Sequence, residues 1–250
     1  MCIRDSPKDT YQGAALAALA KEEKCNSAYI LNDKEVYGAG LAGNVEIAAK
    51  KVGLEIKGND GIDKNAANYR SLASRIADTA PDCFIYCGIT ANNAVQVFKD
   101  LAVALPEAPL IGPEGVAESG FFDPEDGGLP ADVAKRVLIT IPGVAPEEYP
   151  AAGKQFLKDY EAKYGEKNPD RYAVYGYESM SLILDAIKRA GDKGSDRAAV
   201  LEQIYATKDR EGVFGTYGID PNGDITLTPY GVYKIEKGQT VFDRSVEAGV

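Results

Sequence analysis

The feature that most constrains this chain is a rhythm in its first half: short apolar runs, each followed by a segment whose apolar residues recur at helical spacing. Ser27-Ala28-Tyr29-Ile30-Leu31-Asn32 is the first run, and Leu41, Val45, Ala48, Ala49 and Val52 then share one helical face. Leu54-Glu55-Ile56-Lys57 is the second, with Asp60-Gly61-Ile62-Asp63 as its exit and Tyr69, Leu72, Ala73 and Ile76 as the next stripe. Asp82 to Cys87 is the third and most apolar run, followed by Gly88-Ile89-Thr90 and a face of Ala91, Ala94, Val95, Phe98, Leu101 and Ala102. Pro109 to Gly112 is the fourth. A helix over 6–24 precedes them, with Ser6 as cap, Pro7 in its first turn and Ala14, Ala15, Ala18 and Leu19 at helical spacing. Strands alternating with helices of about 10 to 15 residues predict βαβ units, a parallel sheet and right-handed crossovers. The fold class is α/β, with a doubly wound lobe over about residues 7–139.

In such a lobe the parallel strands present their carboxyl ends along one edge, where open α/β sheets place ligands. Tyr37, Asp60, Ile89 with Thr90, and Glu114 are expected there. Leu110-Ile111-Gly112-Pro113-Glu114-Gly115-Val116-Ala117 ends an apolar run at a Gly-Pro turn, so Glu114 sits where the chain leaves the sheet. It is either a solvated acid of an acidic protein or the anchor for a ligand's ammonium group. Thr90 reads as a helix N-cap, either only that or a group beside free backbone amides that bind an anion or carbonyl oxygen. Tyr37 either packs on its own helix or walls a pocket.

Beyond Gly120 the pattern changes. Residues 121–130 are rich in Gly, Pro and acids and read as an irregular connection. Val137-Leu138-Ile139-Thr140-Ile141 is a further strand, stopped by Pro142-Gly143. Two long helices follow, one burying Ala152, Phe156, Leu157, Tyr160 and Tyr164, the other Tyr177, Met180, Leu184 and Ile187. Tyr177 is either packing or a ring facing a crevice. A short helix spans about 196–207, and the tail is β-like over 212–217 and 230–235. Pro221-Asn222-Gly223-Asp224 reads as a hairpin turn, because the twelve-residue calcium pattern is incomplete.

Composition narrows the chemistry. The formal charge of -10 argues against nucleic acid or anionic membranes as partners. His is absent, which removes the usual general base and the commonest metal ligand, and the four Cys show no paired metal spacing. Cys83 and Cys87 read as small buried hydrophobes rather than a redox pair. No stretch reaches the roughly 18 to 20 apolar residues of a membrane span, and residues 1–30 carry no secretory signal. No cofactor and no catalytic group is assigned.

Asp33-Lys34-Glu35-Val36-Tyr37-Gly38-Ala39-Gly40-Leu41, Gly112-Pro113-Glu114-Gly115, Gln12-Gly13 and the closing Gly-Asp turn, taken together, resemble the branched-chain amino-acid-binding proteins. These are the substrate-binding subunits of ABC importers, with the type I periplasmic binding fold. The resemblance implies two doubly wound, Rossmann-like lobes with parallel sheets, joined by hinge strands and closing on an amino acid. It assigns 7–139 to the second lobe, 140–226 to a partial first lobe and 227–250 to a return to the second. By resemblance Tyr37 lines the pocket, Glu114 takes the ligand's α-ammonium and Tyr177 packs on the ligand. Ile89 stands where the leucine/isoleucine/valine binders carry an aromatic residue, and Thr90 follows it. The family's first hundred or so residues have no counterpart before Pro7. The resemblance therefore implies an incomplete first lobe, exposed apolar surface on the helices near 149–190, and weak or no ligand binding by the isolated chain. It also implies a periplasmic or extracellular location, a membrane permease as partner and a monomer at full length, and leaves open a leader or lipid anchor.

Two other function classes remain open on sequence. One is an α/β enzyme using Glu114 with a Tyr or Lys as acid and base. The other is a ligand-sensing domain of a receptor or regulator with the same fold.

Overall fold

The computed structural model describes Arg4 and residues 6–167, 169 and 171–248. In chain order the elements begin with α1 (Asp9–Glu22), β1 (Ser27–Asn32), α2 (Val36–Val52), β2 (Glu55–Gly61), α3 (Arg70–Asp78) and β3 (Cys83–Cys87). They continue with α4 (Ala94–Ala104), β4 (Leu110–Pro113), α5 (Ser119–Phe122), α6 (Ala131–Ala134), β5 (Val137–Pro142), α7 (Ala151–Tyr164) and α8 (Arg171–Ala190). The last are α9 (Arg197–Tyr205), β6 (Arg210–Gly212), β7 (Gly215–Tyr217), β8 (Pro229–Glu236) and β9 (Gln239–Glu247). They form two compact units, Asp9–Pro142 with Pro229 onward, and Gly143–Thr228 with the segment ending at Lys8. Thr140, Ile141 and Pro142 stay with the first because they pair with Val232, Gly231 and Tyr230.

The larger unit is a seven-stranded sheet in the order β2-β1-β3-β4-β5-β8-β9. The first five strands run parallel and β8 and β9 add antiparallel pairs, so the parallel sheet read from the βα rhythm is extended by a mixed edge. β3 is buried at all five positions, the mark of a central strand covered on both faces. Alternate residues feed two cores. Tyr29, Leu31, Phe84, Tyr86 and Leu110 meet α3 and α4, while Ile30, Ile85, Ile111 and Val232 meet α1 and α2. This is the two-faced covering of a doubly wound fold, and it is α/β. β2 runs on through Asp60 and Gly61, residues expected in its exit loop, and Asp60 accepts a hydrogen bond from the Tyr29 hydroxyl at 2.7 Å. β9 has no counterpart in the sequence reading, because its half-exposed residues lack a clean alternation.

Cys83 is not a lone hydrophobe: it forms a disulfide with Cys25, with Cα atoms 5.9 Å apart, and ties the segment before β1 to the start of β3. Asp82 reinforces the junction by accepting from the Asn26 and Ser27 amides, each at 2.9 Å. Cys87 is buried and free.

The smaller unit packs α7, α8, α9 and the β6–β7 hairpin around Tyr149, Phe156, Val174, Leu182, Ala186, Ile204, Phe214 and Tyr217. Ala152 and Tyr164, expected inside, are exposed. The larger correction concerns α8. Tyr177, Met180, Leu184 and Ile187 lie outside, Leu184 at 57% exposure, while Val174, Glu178, Leu182 and Ala186 face the core. Glu178 anchors that orientation: it accepts from Arg210 Nε at 2.7 Å, Tyr217 Oη at 2.8 Å and the Val213 amide at 2.9 Å. A buried carboxylate must be met by donors, and a guanidinium with two further donors meets it. The α8 stripe, with Ile183 and Leu201 beside it, is the exposed apolar surface of this unit. Among the described residues no helix is long and apolar enough to cross a membrane.

Candidate functional site

The strand order β2-β1-β3-β4-β5 reverses direction between β1 and β3, and at such a switch point two neighbouring exit loops diverge and leave a crevice outside the strand ends. The loop after β1 carries Tyr37 in the first turn of α2, the loop after β3 carries Ile89 and Thr90, and the loop after β4 carries Glu114. Four of the five residues that the family resemblance picks out therefore converge in one loop cluster, while Asp60, expected at the same edge, lies within β2. Tyr37 Oη lies 3.2 Å from Glu114 Oε1, and Thr90 Oγ1 donates to the Gly115 carbonyl at 3.3 Å. A Cβ on Gly115 would stand 2.5 Å from the Gly88 carbonyl oxygen, 3.1 Å from Ile89 Cγ2 and 3.3 Å from Tyr37 Cε1. Glycine is thus what lets the loop after β4 close on the other two.

Tyr177, the fifth residue, belongs to the smaller unit. It is 51% exposed and its ring packs on Phe156 at a centroid distance of 4.7 Å.

Thr90 does not cap a helix. It opens a short 3₁₀ turn over Thr90–Asn92, and α4 starts at Ala94 behind Asn93, which takes a left-handed conformation at φ 68°. Nor is the Ile89 amide free for an anion, because Asp33 takes it. Asp33 is 2% exposed, and its Oδ2 accepts from the Ile89 amide at 3.2 Å and Asn92 Nδ2 at 2.8 Å. Its Oδ1 accepts from the Glu35 amide at 3.1 Å. A carboxylate bonded on both sides pins the exits of β1 and β3 to one another and sets the crevice geometry. Asp33 stands in the Asp33-Lys34-Glu35 loop, and its position right after a buried strand is the signal that marks it.

Glu114 is the chemically active member. As a residue it is half-buried, but Oε2 is enclosed and has no hydrogen-bond partner among the described residues. Burial pushes its carboxyl up to about 7, with Asp9 adding to the rise and the Glu114 backbone amide and Tyr37 opposing it. The Tyr37 phenol is driven well above its ordinary value by burial and by the adjacent Glu114, so it stays protonated. Gln12, on α1, completes the cluster: it is 1% exposed, its Oε1 is 3.1 Å from Tyr37 Oη, and its Nε2 has no partner among the described residues. Buried polar atoms are ordinarily paired, so an enclosed carboxylate oxygen with nothing to accept from marks a place for a donor. An ammonium group supplies both donors and the opposite charge, and its approach shifts Glu114 to the ionised form. Among the described residues no cluster of metal-ligating side chains accompanies it.

Residues 6–240 match the protein family described as Periplasmic binding protein. The leucine-, isoleucine-, valine-, threonine- and alanine-binding protein of Pseudomonas aeruginosa is 24% identical over 236 residues, covering 93% of this chain and 59% of its own length. The Leu/Ile/Val-binding protein of Citrobacter freundii is 25% identical over 247 residues, covering 97% of this chain and 63% of its own. This chain thus spans about six-tenths of the length of the curated relatives it matches. A solved leucine-binding protein from Thermotoga maritima shares the fold with a TM-score of 0.85 at 22% identity, over 98% of this chain and 67% of that one.

Proposed function

This chain belongs to the periplasmic binding protein family, and on that premise we propose that it is part of the solute-binding subunit of an ABC importer. The subunit takes up an amino acid, branched-chain or similar, and delivers it to a membrane permease. The observation that carries the reading is the enclosed, unpartnered Oε2 of Glu114 beside the protonated Tyr37 at the β1/β3 switch point. Glu114 receives the ligand's ammonium. Tyr37, Ile89 and Thr90 shape the same crevice, and Tyr177 is assigned as a further ligand contact. The unit that carries the seven-stranded sheet is, in this reading, the second lobe, and Gly143–Thr228 is part of the first.

Binding rather than turnover is supported by the family, described as periplasmic binding proteins, and not by the raised carboxyl, since a carboxyl titrating near neutrality beside a phenol would equally serve an acid–base pair. The Cys25–Cys83 disulfide supports an oxidising compartment, the periplasm or the cell exterior.

A thermal-shift screen of the wild type and Glu114→Gln against amino acids, amides and aromatic acids at high millimolar concentration tests the reading. An amine-bearing ligand that stabilises the wild type and not the variant is the expected result. Stabilisation only by ligands without an amine, equal in both proteins, removes Glu114 from the site and amino acids from the function.

A further inference from the structure

A phenol has one proton to give, and at Tyr37 two acceptors stand at nearly equal range: Gln12 Oε1 at 3.1 Å and Glu114 Oε1 at 3.2 Å. Gln12 is enclosed on α1, and the residue after it, Gly13, lies so close to α2 that a Cβ there would stand 2.7 Å from Asn44 Cβ and carbonyl carbon. That close approach seats α1, and Gln12 with it, against α2, the helix that carries Tyr37. The third fact is that Gln12 Nε2, buried and unpartnered among the described residues, gains a partner if the amide turns over and donates to Tyr37 Oη.

We infer that Gln12 is a positioning residue for Glu114: it competes for the single phenol proton of Tyr37, and the orientation of its amide sets the direction of the hydrogen-bond chain that reaches the carboxylate. With Glu114 neutral, the carboxyl donates to Tyr37 Oη and the phenol donates to Gln12 Oε1. With Glu114 ionised, the amide turns, Gln12 Nε2 donates to Tyr37 Oη, and the phenol donates to Glu114 Oε1. Each chain uses the phenol proton once and gives the phenol oxygen one donor, so the cluster accommodates either charge on Glu114 without a stranded phenol. The other titratable groups acting on the pair are Asp9 on α1 and the Cys87 thiol on β3, the latter pushed far up by burial and hence neutral. For ligand capture this means that Glu114 can wait neutral in its enclosed place and become ionised when an ammonium arrives. That meaning rests on the proposed role of Glu114, whereas the proton competition does not.

The test reads the Glu114 carboxyl midpoint on the ligand-free chain by carbon-detected NMR with glutamate side chains labelled, using Glu114→Gln to assign the resonance. Gln12→Met keeps length and volume and removes both polar atoms, leaving the carboxylate as the sole acceptor for the phenol. By the two chains each protonation state then loses one neutral hydrogen bond, so the midpoint stays within about half a pH unit of the wild type. In the wild type the Gln12 side-chain carbonyl and Tyr37 Cζ resonances must move with the Glu114 midpoint, and in a Tyr37→Phe background the Gln12 resonance no longer follows it, because the path runs through the phenol. If Gln12→Met does not fold, Gln12→Leu is read in the same way. A folded variant whose midpoint moves by a full unit, a Gln12 resonance that still follows Glu114 without the phenol, or a flat Gln12 resonance in the wild type overturns the inference. A flat Gln12 resonance refutes the proton competition alone, whereas a screen without an amine-dependent hit refutes the amino-acid reading alone.

Discussion

Replacing Glu114 by Gln is expected to make the protein more stable at neutral pH and to flatten its dependence on pH. Burial raises the carboxyl from its ordinary 4.5 to about 7, so the folded protein holds a proton on Glu114 that the unfolded chain releases. Stability from this group is fully present below about 4.5, falls as the pH rises, and reaches its floor above about 7, where both states are ionised. Each pH unit between the two midpoints is worth about 1.4 kcal/mol, so the ionised carboxylate costs the folded protein about 3 kcal/mol. Gln has the same shape, carries no charge and can still accept from Tyr37. Urea unfolding of both proteins between pH 4.5 and 8.5 measures the difference. The gap between the variant and the wild type should open by about 3 kcal/mol from the acid to the neutral end. A gap constant across that range would mean that Glu114 does not titrate in the folded protein with a raised midpoint, and the account of its enclosed oxygen would fail.

Reduction of Cys25–Cys83 should cost about 4 kcal/mol, the chain entropy released by opening a loop of 58 residues in the unfolded state. Urea midpoints with and without a phosphine reductant check it, and a double Ser variant should not respond to the reductant. On α8, Arg210→Met should destabilise the protein by about 3 kcal/mol or more by leaving Glu178 buried without its guanidinium. By contrast Leu184→Glu, on the exposed stripe, should change stability by no more than about 0.5 kcal/mol. Melting temperatures of the two variants would reveal a reversed α8, since the order of the effects would then invert.

The alternation of elements and the place of the exit loops were legible in the amino-acid pattern. A parallel strand covered on both faces must be apolar throughout, so Cys83-Phe84-Ile85-Tyr86-Cys87 announces itself, and the helices between such strands must carry one apolar stripe. Once those strands are recognised as parallel, Tyr37, Ile89, Thr90 and Glu114 share an edge without any knowledge of distances. Pro113 after Gly112 likewise marks where a strand stops. What each group meets at that edge emerges only in the folded chain. Thr90 looked like a cap and instead bonds the Gly115 carbonyl, while Asp33 takes the Ile89 amide just before it. Cys25 and Cys83 are far apart in the chain and become partners only through sheet order. The two stripes of α8 are both helical in spacing, and the one that faces inward joins Val174, Leu182 and Ala186 to Glu178, which only the distant Arg210, Val213 and Tyr217 satisfy. Periodicity encodes which residues share a face. Which partner that face meets depends on distant residues, because hydrogen bonds, ion pairs and burial are settled by the folded chain as a whole.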